Sequence, residues 1–200
     1  MKAEIESRFS KNLSRVEHLI AAHEVVSSSG GHQEDATDVL RAAVIFLHAA
    51  LEDLLRSLEE WKLPLADARH LSDVPLEGKK PREKFTLGDL VAHRGRTVDE
   101  VIRQSVSANL ERSNYNDVGE MVAALHRVGV SEGVFSAEFK GQLAAMSSRR
   151  HLIAHRADRL SVDGQDVIAS LMKDVVEEWH RAVWLFGRAL LTALSESEEA

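Results

Sequence analysis

The chain has no cysteine among its 200 residues, only three prolines, and an aromatic content of 5%. Without cysteine it has neither disulfides nor thiolate sites, a composition typical of a reducing compartment. No window of the sequence approaches the roughly 18 apolar residues that a membrane-spanning helix needs, and the first residues show neither an apolar run nor a cleavage signal. We therefore expect a cytoplasmic protein that has no membrane partner.

The chain as a whole has fewer positive than negative charges, but one segment has an excess of positive charge. The formal net charge of −7 at pH 7 argues against a general nucleic-acid binder, which would need a broad basic face. Between Arg149 and Arg159, however, four arginines stand against one aspartate. An anion bound here would therefore be met by a local patch whose electrostatic reach is short.

Apolar residues recur three and four positions apart over four long stretches, roughly residues 3–27, 34–63, 136–159 and 165–195. We find no strand-like alternation. The pattern predicts an all-α fold, an antiparallel helical bundle of four to five long helices, with the second helix central because its apolar face is wide. The last stretch is long and broad enough to indicate a partner surface as well as a core face.

All three prolines fall between Pro64 and Pro81, in the one clear loop of the chain. Short helices are predicted after this loop, because Thr97 to Glu100 matches a capping box and Asn116-Asp117 marks a further helix start. We interpret 64–135 as a loop plus short-helix insertion within a single domain that spans residues 1–200.

The third long helix carries an arginine where a hydrophobic residue is expected. Arg150 lies on its apolar stripe, which comprises Phe139, Leu143, Met146, Ile153, Ala157 and Leu160. The same spacing aligns a second, polar ridge of Ser148, His151, His155 and Asp158. An arginine on a buried stripe has to meet a carboxylate or a phosphate, and histidine is the side chain that ordinarily titrates nearest neutral pH. The helix is therefore predicted to carry a charged site.

The residues alone leave the partner of this site open. Glu52 and Asp53 are either solvated acids that pair along their own helix, as Glu52 with Arg56, or groups that cross the bundle to orient Arg150 or His155. A buried Arg150–Glu52 pair would hold the register of the bundle.

A metal is the other alternative. His151, His155 and Asp158 have spacings that suit zinc or another divalent ion, but the glutamate of an HExxH motif is missing. Our prediction contains no metal site and no cofactor.

The string from Arg150 to His155 resembles the R-x4-6-H motif of the HEPN superfamily, with a polar residue directly after the arginine. Arg149, Arg156 and Asp158 are similar to the bacterial RiboL-PSP-like HEPN branch, in which RRH-x-I-x-HRAD recurs. The second helix, 43–58, and the middle segment, 85–130, also resemble that branch, so the resemblance covers most of the chain.

The resemblance implies a helical bundle that dimerises with its two motif helices facing each other. It also implies a metal-independent endoribonuclease that cleaves RNA, in many members a toxin or defence effector, with an antitoxin or other partner protein as an expected partner. Carried over by residue, Arg150 neutralises the scissile phosphate, His155 is the general acid or base, and His151 shapes the site. The supporting residues are Arg149, Arg156, Asp158 and Glu52. The alternative is a non-catalytic module of the same fold that binds a partner protein or a nucleotide.

The spacing of the two central residues bears on this expectation. Five residues turn an α-helix by about 500°, which leaves Arg150 and His155 roughly 140° apart. A straight helix does not easily aim both side chains at one phosphate, although the long arginine stem reaches around it. A two-fold dimer would bring Arg150 of one protomer toward His155 of the other. The spacing therefore predicts a composite site.

Overall fold

The computed structural model describes residues 1–30, 32–80, 83–162 and 165–199 and is predominantly α-helical, as the sequence predicts. Its α-helices are α1 (Lys2–Ser28), α2 (Gln33–Lys62), α3 (Ala68–Leu71), α4 (Val98–Leu110), α5 (Val118–Arg127), α6 (Ala137–Arg156) and α7 (Lys173–Glu199). Short 3-10 turns lie at Leu63–Leu65, Leu87–His93 and Glu132–Val134. None of the helices in this described part of the chain is long and apolar enough to cross a membrane.

The second helix, α2, is the centre of the bundle. It packs against α1, α6 and α7, and its buried face runs along most of its length. The leucine and valine residues of this face follow the helical spacing and are each at most 1% exposed: Leu40, Val44, Leu47, Leu51, Leu54, Leu55 and Leu58. The prediction of a central second helix is confirmed.

Ion pairs between α1 and α7 show that these helices run antiparallel. They connect the start of one helix to the end of the other: Glu6 lies 3.4 Å from Arg188, Glu17 lies 3.6 Å from His180, and Glu24 lies 2.6 Å from Lys173. Since the carboxylates are largely exposed, the pairs contribute little stability and mainly report the direction of the helices.

A glycine of α7 lies where α7 packs closely against α1 and α2. A Cβ atom at Gly187 would overlap the ring of Phe9 and come within 3.0 Å of Leu54 Cδ2. Any larger residue would therefore push α7 away from α1 and α2, and glycine is placed where three helices meet.

The caps predicted for the short helices are present. The Thr97 hydroxyl accepts the N–H of Glu100 at 3.2 Å, and the Glu100 carboxylate accepts the N–H of Thr97 at 2.7 Å. Asp117 caps α5 by accepting the N–H of Glu120 at 3.0 Å. Pro81, which belongs to the predicted loop, lies outside the described residues.

Buried polar contacts attach the short-helix segment, residues 64–135, to α2. Tyr115, between α4 and α5, is fully buried and donates its hydroxyl to Glu59 Oε2 at 2.6 Å, while Arg127 Nε donates to Glu59 Oε1. Arg56 Nη2 donates to the Ser113 carbonyl at 3.1 Å. Burial, together with the charge of Glu59, raises the pKa of the Tyr115 hydroxyl above its ordinary value.

A hairpin occupies part of the chain that was predicted to be helical. Strand β1 (Arg159–Val162) pairs antiparallel with β2 (Gln165–Ile168), with Leu160 opposite Val167. The predictions that the third long helix reaches 159, that the last begins at 165, and that strands are absent are wrong here. Asp163-Gly164, between the third and last predicted helices, also predicts a turn, and these two residues lie outside the described residues.

The early end of α6 also changes which residues are buried. Leu143 and Met146 are buried as predicted, but Ala157 and Leu160 follow the helix end and are exposed, Leu160 by 44%. The sequence did contain a hairpin signal, because Asp-Gly between two short runs is a common two-residue hairpin loop. Apolar residues at helical spacing on both sides of Asp-Gly favoured the prediction of two helices instead.

Tyr115 offers a direct test of the buried contact, because it is the only tyrosine in the chain. Since its pKa is raised in the folded state, it contributes stability that is fully present below about pH 10 and is lost as the pH rises further. We expect tyrosinate absorbance to appear only as the fold is lost in alkali, whereas in denaturant it should appear near pH 10.

The matched variant is Tyr115→Phe, which removes only the hydroxyl. Above about pH 10 its unfolding free energy should fall less steeply than that of the wild type, by up to about 1.4 kcal/mol per pH unit. Urea unfolding across alkaline pH measures this difference. Titration of Tyr115 near pH 10 in the folded wild type would contradict the buried contact.

Candidate functional site

The candidate site begins where α6 ends. Arg156 is the last helical residue, and the chain then turns through Ala157 and Asp158 with φ angles of 47° and 61°. The N–H groups of both residues point back to the Leu152 carbonyl. This left-handed conformation usually belongs to glycine and costs about 1–2 kcal/mol for other residues. Strong contacts must therefore hold the two residues in place.

Those contacts are made by the carboxylate of Asp158, which is fully buried. Arg149 approaches it with both sides of its guanidinium, Nε at 2.8 Å from Oδ1 and Nη2 at 2.8 Å from Oδ2. Arg41 of α2 donates its Nε to Oδ2 at 2.7 Å. A buried carboxylate requires such compensation, and two arginines provide it.

Arg149 also fixes the chain beyond the hairpin. Its Nη2 donates to the carbonyls of Ala169 and Ser170, each at 2.9 Å, and Arg41 Nη2 donates to Ala169 at 3.3 Å. The N–H of Ala169 in turn donates to the Asp158 carbonyl at 2.9 Å. Arg149 and Asp158 are therefore engaged with internal partners that join α2, α6 and the hairpin.

The neighbouring Arg150 is turned about 100° around the helix from Arg149 and contacts different residues. It is half-buried, and its Nη1 donates to Asn116 Oδ1 at 3.0 Å. The next residue back, Tyr115, donates its N–H to Glu52 Oε1 at 3.4 Å. Glu52 and Asn116 thus connect Arg150 to α2 through the short segment between α4 and α5.

Glu52 is the acid of α2 that faces this arginine. Contact with His48, whose Nδ1 lies 3.6 Å from Glu52 Oε2, is the main cause that lowers the pKa of the Glu52 carboxyl, and the charge of Arg150 adds to it. Asp53 instead binds Arg8 and Asn12, at 2.9 and 3.2 Å. Of the two acids considered, Glu52 is therefore the one near Arg150.

The two histidines occupy the outer face of α6. His151 and His155 are exposed, and their ring centroids are 4.5 Å apart at a tilt of 46°. Arg156, next to them in sequence, is exposed and makes no ion pair within the described part of the chain. The i,i+4 spacing alone brings the two rings together, as the sequence predicts.

Asp158 does not belong to that ridge. It was predicted to stack below the histidines, but it follows the helix end and faces Arg149 and Arg41 in the interior. The metal set of His151, His155 and Asp158 is therefore not assembled. No group of three or more histidine or acidic side chains suited to a metal occurs among the described residues.

The predicted site residues thus fall into three groups. Arg149 joins Asp158, Arg150 lies near Glu52, and His151 meets His155 beside Arg156. No hydrogen bond joins Arg150 to His155 within one chain, since they lie on inner and outer faces of α6.

Sequence reasoning missed Arg41, Asn116 and His48. Arg41 directly follows the buried Leu40, at the edge of the apolar face of α2. A charged residue at that position could have indicated a contact in the interior. Nothing local to Asn116 or His48 indicates a contact with the residues around Arg150.

Comparison with models of known protein families, with curated proteins and with solved structures gave no match to this chain.

The buried carboxylate predicts a large stability effect. Asp158→Asn should lower the unfolding free energy by about 3 kcal/mol or more, because Arg41 and Arg149 lose their shared negative partner in a poorly solvated place. Urea unfolding at neutral pH measures it.

The matched control is Asp38→Asn. Asp38 binds the same Arg41 at 2.7 Å, but its side chain is 71% exposed. We expect roughly 0.5 kcal/mol or less for that substitution. Equal, small losses in both variants would show that the buried contact does not support the helix end.

Proposed function

We propose that this chain is a metal-independent endoribonuclease of the HEPN type that acts as a dimer. The observation that carries the proposal is the exposed pair of imidazoles, His151 and His155, whose ring centroids are 4.5 Å apart, beside Arg156, which has no ion pair in the part of the chain that the structure describes. Two adjacent imidazoles provide a proton acceptor and a proton donor at one place without any further cofactor. A role as a toxin or defence effector, with an antitoxin or other protein as partner, belongs to the same proposal.

The proposed chemistry is cleavage of the RNA backbone by its own ribose. His155 takes the proton of the 2′-hydroxyl, or gives a proton to the leaving 5′-oxygen, and His151, which shapes the site, makes the other of these two proton transfers. The 2′-oxygen attacks phosphorus, the bond to the 5′-oxygen breaks, and the products carry a cyclic phosphate and a free 5′-hydroxyl. Arg150 neutralises the charge of the phosphate in the transition state.

A dimer accounts for the separation of Arg150 and His155. Within one chain Arg150 is turned toward Asn116 and His155 toward solvent, so one protomer does not present both groups to a phosphate. A two-fold axis beside α6 would combine the arginine of one protomer with the histidine of the other. Exposed apolar side chains just before and on α7, which packs against α6, support an association surface: Met172 at 60%, Trp184 at 46% and Leu185 at 39% exposed.

The first test is cleavage of mixed RNA in EDTA, with light scattering on the same samples. We expect the wild type to cut as a dimer, and His155→Ala and Arg150→Ala to cut at least about 100-fold more slowly with an unchanged circular dichroism spectrum. His18→Ala, at an exposed histidine of α1, is the matched control and should cut normally.

A mixing experiment tests the composite site. In a heterodimer of Arg150→Ala with His155→Ala, one site loses both groups and the other keeps both. Random exchange of protomers should therefore restore about a quarter of the wild-type activity. Each site of a non-composite enzyme would lack one group, and mixing would then restore nothing.

The alternative function is a non-catalytic module of the same fold. This alternative holds if the well-folded wild-type dimer cuts no RNA in this assay but binds a partner protein or a nucleotide. The nuclease proposal is then wrong.

A further inference from the structure

An open groove lies beside the histidine pair, between α6, β1 and α7. It encloses about 540 Å3 and is lined by Ala145, Ser148, Arg149, His151, Leu152, Arg156, Leu160 and Trp179. This volume falls in the range of small-molecule sites, about 300–1,000 Å3. His151 belongs both to the groove and to the imidazole pair, so the two features are continuous.

The charge of the groove is opposite to that of the protein. Its lining contains Arg149, Arg156 and His151 and no carboxylate. Four other grooves lined by described residues each include at least one acidic side chain. Arg149 is held in the wall by Asp158, whereas Arg156 has no acidic partner in the described part of the chain. In a chain of net charge −7, this groove is the place suited to an anion.

The rest of the lining is apolar. Leu152 and Leu160 contribute aliphatic surface, and Trp179, which is 6% exposed, contributes an aromatic edge. A small inorganic anion would leave these side chains in contact with water. A ligand that joins a phosphate to a flat, weakly polar ring would cover them and would also offer hydrogen-bonding groups to Ser148.

We infer that this groove binds one nucleotide of the RNA strand, with its base over Leu152, Leu160 and Trp179 and its phosphate at Arg156 and His151. The inference rests on the proposed function and deepens it, because a base held next to the cleaved bond makes the groove the determinant of sequence preference. Leu160 is the key residue, since it is the exposed aliphatic side chain of the lining.

The probes are the four nucleoside 3′-monophosphates and inorganic phosphate, titrated calorimetrically into the full-length chain. The test variant is Leu160→Glu, which adds a negative charge to the apolar surface. Its matched control is Ile168→Glu, at a residue of the neighbouring strand whose side chain lies on the opposite face of the hairpin from Leu160, similarly exposed at 46% and outside the groove lining. Thermal unfolding of both variants checks that the hairpin is intact.

We expect at least one nucleotide to bind about tenfold or more tightly than inorganic phosphate, and Leu160→Glu to weaken it by about tenfold or more. Ile168→Glu should change the affinity less than about twofold. Equal affinity for inorganic phosphate and all four nucleotides, or equal effects of the two variants, would overturn the inference.

Cleavage of an RNA of mixed sequence by the same preparations separates this inference from the proposed function. If the wild type cuts and Leu160→Glu cuts with the same preference among bases, the groove proposal fails and the nuclease stands. If nucleotides bind as expected but no RNA is cut, the nuclease fails and the groove remains a nucleotide site.

Discussion

The structure around the motif depends on one buried carboxylate held between two arginines. Asp158 is fully buried, and Arg41 and Arg149 approach it at 2.7–2.8 Å from α2 and α6. These contacts compensate for two consecutive residues in the left-handed conformation, which would otherwise be costly. They fix the residue at which α6 ends and the position of the hairpin that follows.

Because the end of α6 is fixed, the adjacent Arg149 and Arg150 contact different parts of the protein. Arg149 is engaged inside the protein, whereas Arg150 extends to Asn116 and the neighbourhood of Glu52. His151 and His155 lie on the outer face of the same helix, where both side chains are exposed. Arg150 and His155 lie on different faces of one helix, so the proposed site would use both only if a second protomer completed it.

The proposed anion site would lie in the groove beside the histidine pair, although the protein as a whole is acidic. In the groove, Arg149 contributes positive charge although it is bound to Asp158. Arg156 and His151 contribute exposed polar groups next to the apolar side chains of the lining. The nearest acid that contacts this lining, Asp158, is buried behind Arg149, and acids in other parts of the protein have partners of their own, as Glu59 has Arg127 and Tyr115. In the proposed function, attraction of RNA would therefore be confined to a short region, which favours recognition of a local segment over coating of a long strand.

The sequence by itself determined the four long helices, the central place of α2, the caps at Thr97 and Asp117, and the contact of His151 with His155. All of these depend on interactions between residues a few positions apart or on an amphipathic face. Only the tertiary structure decided that Arg149 and not Arg150 binds the buried carboxylate, that Asp158 leaves the histidine ridge, and that Arg150 meets Asn116. Arg41 and Asp158 are 117 positions apart, and no local pattern encodes which of several charged side chains the packing of helices brings together.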